Sequence, residues 1–105
     1  MTKVVFFADD SRLFGFEISG HSTGSCDDEQ GRIVCGAVSS AAYMTANTVS
    51  DVIGDKIESE LRDGYMKIIV KDPSDASQKV LDGFRLHISE LSKQYPRRIT
   101  TLTKE

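Results

Sequence analysis

The strongest constraint on the fold is a change of hydrophobic period partway along the chain. Lys3–Ala8 is β-branched and aromatic, and Arg12–Ser19 alternates, with Phe14, Phe16 and Ile18 on one side and Leu13, Glu17 and Ser19 on the other. Both segments read as strands, and Asp9-Asp10-Ser11 between them is turn chemistry, so they form an antiparallel hairpin. From about Ile33 to Ile53 the spacing becomes three and four residues: Val34, Val38, Ala41, Thr45, Val49 and Val52 mark one face of a helix that Gly54 stops. A chain that switches from period two to period 3.6 must place helices against a sheet.

The pattern then repeats. Lys56–Leu61 and Tyr65–Lys71, joined through Arg62-Asp63-Gly64, read as a second hairpin, with Met66, Ile68 and Val70 pointing inward. Asp72-Pro73 opens a second helix, Asp72 as cap and Pro73 in the first turn, and Asp75 complements the helix dipole. Val80, Phe84, Ile88, Leu91 and Tyr95 line its buried face, Pro96 ends it, and Arg97–Thr103 reads as a last strand. The expected architecture is α+β, order β-β-α-β-β-α-β, with two helices on one face of a mainly antiparallel sheet. The other face is left to solvent or to an oligomer.

Size and charge narrow the function. At 105 residues the chain is expected to be one domain, residues 1–105, able to bury about two-thirds of its unfolded surface without disulfide staples. A net charge of −3 argues against a duplex-binding surface. No apolar run approaches the roughly 18 residues that cross a bilayer. The stretch Val4–Ala8 is too short for a signal peptide, so the expected location is the cytoplasm.

Between the hairpin and the helix, His21 to Arg32 is polar and reads as a mobile loop across Ser22–Gly31. The chain has two cysteines, Cys26 and Cys35, and two histidines, His21 and His87. His21 follows a strand end closed by Gly20, and Cys35 is placed in the first turn of the helix, so strand end and helix start can face each other at one sheet edge. A thiolate is the nucleophilic form of cysteine, and the unpaired N–H groups of a helix N-terminus favour it. His21 would take the thiol proton and return it to a leaving amine. N–H groups around Cys35 and Gly36 would hold an oxyanion or the substrate backbone, and Gly36 has no side chain to block that backbone. The competing reading makes Cys35 a buried core cysteine beside Val34, Ala37 and Val38, and His21 a plain loop residue.

Gly20-His21-Ser22 followed by Ile33-Val34-Cys35-Gly36-Ala37-Val38-Ser39 resembles the ribosomal-processing cysteine protease family (Prp, YsxB-like), over essentially the whole chain. The resemblance implies a Cys–His protease with Cys35 as nucleophile and His21 as general base. It implies removal of an N-terminal extension from the precursor of large-subunit ribosomal protein number twenty-seven. It also implies a homodimer, which suits the slim helix face of Gly36, Ala37, Ser40 and Ala41, and neither a metal nor an organic cofactor. Ser39, one helical turn after Cys35, matches a recurrent serine of the family, or is simply a small packing residue. Where many relatives carry Asp three residues before the cysteine, this chain has Arg32, leaving Asp27, Asp28 or Glu29 as substitutes.

Cys26 admits three readings: a free loop thiol, half of a disulfide that would silence Cys35, or a zinc ligand with His21 and Cys35 at a spacing that matches no familiar finger. His87 is expected to be a packed or boundary residue, and Arg97 and Arg98 a surface basic pair. The functional alternative to a protease is a non-catalytic, ribosome-associated protein-binding module of the same fold.

Overall fold

A computed structural model describes residues 1–20 and 28–105. The first hairpin is β1 (Thr2–Asp9) and β2 (Arg12–Ser19). Its turn is carried by Asp10 and Ser11, both at positive φ (51° and 67°). That left-handed geometry matches the twist of the flanking strands. Helix α1 spans Glu29–Asn47 and runs on through a wider π turn, Thr48–Ile53, closed by Gly54 at φ 92°. The second hairpin is β3 (Ile57–Arg62) and β4 (Tyr65–Val70), followed by α2 (Asp75–Gln94) and β5 (Ile99–Lys104).

The strands form one sheet, ordered β3-β4-β2-β1-β5. All neighbours are antiparallel except β1 and β5, which run parallel. The observed order is the expected β-β-α-β-β-α-β, an α+β fold. Both helices cover one face. Val4, Phe6, Phe16, Ile18, Ile68 and Val70 from the sheet meet Val34, Val38, Leu81, Phe84 and Ile88 from the helices. Phe84 anchors α2, with its ring 4.6 Å from Phe16 and 5.8 Å edge-on from Phe6. On the opposite face Phe7 stacks on Phe14 and the Lys67 ammonium lies 5.6 Å from the Phe7 ring, so the outer sheet is part apolar under a charged rim. Among the described residues no helix is long and apolar enough to cross a membrane.

Four local expectations are corrected. Leu13 lies in the core with Phe16 and Ile18, because a bulge at Phe7/Ala8 pairs Ala8 with Leu13 and turns Phe14 to the outer face. Helix α2 is capped by Ser74, not Asp72: its side chain accepts the Ser77 N–H, and Asp72-Pro73 stays outside the helix. Val52 is 79% exposed, because the π turn rotates the end of the apolar stripe outward after Val49, which is buried as expected. Helix α1 begins at Glu29, four residues before the expected start, which takes Glu29–Arg32 out of the loop.

Candidate active site

The earlier start of α1 has a local cause. Asp28 has extended backbone and accepts the Gly31 N–H on Oδ1 at 2.7 Å, a side-chain cap. Its backbone carbonyl accepts the Arg32 N–H at 3.0 Å, the first rung of the helical ladder. Glu29 places a carboxylate in the first turn, where the dipole favours it. Gly31 is buried in the first turn of α1 rather than part of a loop.

Asp28 is itself held. The Arg98 guanidinium donates to Asp28 Oδ2 at 2.5 Å and, through Nε, to Gln30 Oε1 at 3.0 Å. The Arg98 hydrogen bond and the Gly31 N–H hold the Asp28 carboxyl below its ordinary value of 3.8. Arg98 is thus no idle surface cation. The sequence missed it because its partners stand 68 and 70 residues away. Asp28 followed by Glu29 is cap chemistry, but within the polar run from His21 to Arg32 it does not stand out from the loop.

Cys35 is half-buried on α1. It occupies the seventh helical position, not the first turn. Only the first four N–H groups of a helix lack an intrahelical acceptor. The Cys35 and Gly36 N–H groups therefore lie inside the ladder, and the expected pair of free oxyanion donors is not present there. Gly36 is exposed, and a Cβ added to it would meet nothing within 4 Å. Among the described residues no packing demand explains this helix-interior glycine. Ser39 and Tyr43 continue the same stripe and, with Arg62, Gly64, Tyr65 and Ile18, line a recess of about 220 Å³ against the β3–β4 turn. In that turn Tyr65 donates to Glu17 at 2.5 Å and the Arg62 guanidinium sits 4.3 Å over the Tyr65 ring.

Gly20, the residue before His21, has φ 72°, and an added Cβ would fall 2.3 Å from the Met1 carbonyl oxygen. Glycine is required there twice over, by backbone conformation and by close approach. His21 and Cys26 lie outside the described residues, and with them the expected meeting of His21 with Cys35 and the three readings of Cys26. Arg32 is exposed on the first turns of α1. Both oxygens of Asp28 are engaged in the cap and the Arg98 pair. His87 is exposed and borders a groove of about 710 Å³ between the helices, with Ala37, Ser40, Ala41 and Gly83. Among the described residues no three metal-binding side chains converge.

Comparison with known proteins places these features in a lineage. A family described as cysteine protease Prp matches residues 1–100. The crystal structure of SMU.848 from Streptococcus mutans is 27% identical, with a TM-score of 0.85 over 99% of both chains. Two structures of an essential ribosomal processing protease Prp from S. aureus share the fold. One, with a substrate peptide, is 17% identical with a TM-score of 0.90, covering 99% of this chain and 100% of that one. The other, with a covalently linked product peptide, is 20% identical with a TM-score of 0.87 at the same coverage. No curated protein sequence matches the chain. With a family match across nearly its whole length, the chain belongs to the Prp family of cysteine proteases.

Proposed function

We propose that the chain is an endopeptidase that removes the N-terminal extension from the precursor of large-subunit ribosomal protein number twenty-seven, with Cys35 as nucleophile and His21 as general base and acid. The observation that carries this reading is the family match over residues 1–100 together with Cys35 beside Gly36 on α1. The S. aureus relative with a substrate peptide supports the substrate class.

The chemistry needs the reduced thiol, because the thiolate is the nucleophilic form of Cys35. His21 takes the Sγ proton and the thiolate attacks the scissile carbonyl carbon. The C–N bond breaks, the imidazolium returns its proton to the leaving amine, and a thioester remains on Cys35. Water, deprotonated by His21, hydrolyses the thioester and restores the thiol. Gly36 admits the substrate backbone beside Sγ, Gly20 fixes the strand end that leads into His21, and Ser39 opens the recess that receives a substrate side chain. The protein acts in the cytoplasm as a homodimer. The small residues Ala37, Ser40 and Ala41 and the exposed Met44 on α1 supply a surface for close helix approach.

The test follows the mass of the organism's own precursor when mixed with the purified protein under reducing conditions. We expect a defined N-terminal loss that Cys35→Ala and His21→Ala abolish and Cys26→Ser retains. The same reaction without reductant should be slow and recover when a thiol is added. An unchanged precursor mass with both cysteines reduced overturns the protease and favours a binding module.

A further inference from the structure

We infer that Arg98 is a positioning residue for the proposed nucleophile: by holding the cap of α1 it sets where the helix bearing Cys35 begins, and it fixes that helix against the strand end leading into His21. The inference rests on the reading of Cys35 as nucleophile, and it names how that residue is kept in place.

Arg98 is fastened by its backbone as well as its side chain. Its N–H donates to the Tyr95 carbonyl at 3.0 Å, and its own carbonyl accepts the Thr2 N–H at 2.9 Å. Thr2 is buried at the start of β1. The guanidinium then reaches out to Asp28 and Gln30, one ahead of the helix and one in its first turn. On the other side of the same strand start, Gly20 lies so close to the Met1 carbonyl that no Cβ would fit. The residues that bound the 21–27 segment, Gly20 and Asp28, are therefore both held to one short frame made of Met1, Thr2 and Arg98.

Arginine suits the task. Its planar fork serves two acceptors at once, whereas a lysine ammonium would follow only one of them along a flexible stem. The side chains of the pair are 32% and 57% exposed, Arg98 first. Ion pairs so open to water add little to global stability. Geometry, not stability, is what this pair can supply: a displacement of an ångström between reacting groups costs as much as about a hundredfold in rate.

The experiment compares wild type, Arg98→Ala, Arg98→Lys, Asp28→Ala and the Arg98→Ala/Asp28→Ala double variant as reduced protein. Cleavage of the ribosomal-protein precursor is measured alongside thermal melting. We expect Arg98→Ala to lose about tenfold or more in kcat, with KM and the melting temperature little changed. Arg98→Lys should recover part of that loss. Asp28→Ala should lose a similar factor, and the double variant no more than either single one, because both changes break one linkage. Wild-type kcat in Arg98→Ala, or losses that multiply in the double variant, would overturn the inference. Iodoacetamide labelling of Cys35 across pH provides a second readout. Without Arg98 the Asp28 carboxylate keeps the Gly31 N–H and the Arg32 charge but loses its guanidinium partner, so the labelling midpoint should move up. A wild type that cleaves nothing refutes the protease reading alone. The labelling profile then decides the clamp, and an unmoved profile in Arg98→Ala overturns it.

Discussion

Helices α1 and α2 pack against each other on one face of the sheet, and each carries an exposed glycine, Gly36 and Gly83, where an added Cβ would meet nothing within 4 Å. Each also starts on a side-chain cap. The caps are built differently. At α2, Asp55 accepts the Ser74 N–H at 2.9 Å, the Ser74 hydroxyl at 2.8 Å and the Ser77 hydroxyl at 2.6 Å, and Ser77 is wholly buried. At α1 the cap is gripped from a distant part of the chain by a cation about one-third open to solvent. The start of α2 is a sealed joint that serves folding. The start of α1 is a clamped but more exposed joint on the helix of the proposed nucleophile, and an ion pair so open to water adds little to stability.

The sharpest way to break this contrast is Gly36→Ala. An exposed helix-interior glycine costs about 1 kcal/mol relative to alanine, and nothing stands in the way of the new methyl group. The variant should therefore unfold at a higher denaturant concentration than wild type. If the open surface admits substrate backbone, cleavage should nonetheless fall by about tenfold or more, chiefly through KM. Full activity in a stabilised Gly36→Ala would make Gly36 an ordinary helix glycine, no different from Gly83.

Ser77→Ala probes the other joint. It removes the buried hydroxyl that donates to Asp55 and should cost about 1–2 kcal/mol, read as a melting temperature lower by several degrees. Cleavage per folded molecule should not change, because among the described residues the start of α2 does not line the recess at Ser39 and Tyr43. A fall in kcat at unchanged melting temperature would erase the distinction between the joints.

What the sequence made legible follows the same line. Strand β1 was readable from its β-branched and aromatic residues, β2 and β4 from alternation enforced by burial on one face, and the Asp63-Gly64 turn announced the second hairpin. The body of α1 was visible in Val34, Val38 and Val49. Its start was not, because Gly31 suggested a loop and the residue that secures Asp28 lies 70 positions away. The bulge that puts Leu13 in the core adds one residue to a strand without marking it by Gly or Pro. For the site, Gly20, Cys35 and Gly36 stood out as residue types. The helical position of Cys35, and with it the loss of the expected oxyanion donors, depended on a cap fixed by tertiary contact.

Acid pH separates the two joints once more, with a smaller effect. Hydrogen bonds from Ser77 and Ser74 hold the Asp55 carboxyl below its ordinary 3.8, and Arg98 with the Gly31 N–H does the same for Asp28. A carboxyl whose folded value is depressed contributes stability that is present above the unfolded value and is lost as pH falls through the folded one. Urea unfolding between about pH 2.5 and 6 should therefore show the advantage of wild type over Asp55→Asn, and over Asp28→Asn, shrinking below 3.8. Salt should divide the pair. At about 1 M the Debye length is near 3 Å, so the Arg98 part of the Asp28 effect is screened while the serine hydrogen bonds on Asp55 are not. An acid dependence at Asp28 that survives high salt unchanged would mean that its backbone cap, rather than Arg98, dominates the joint. The clamp would then have to act through Gln30 instead.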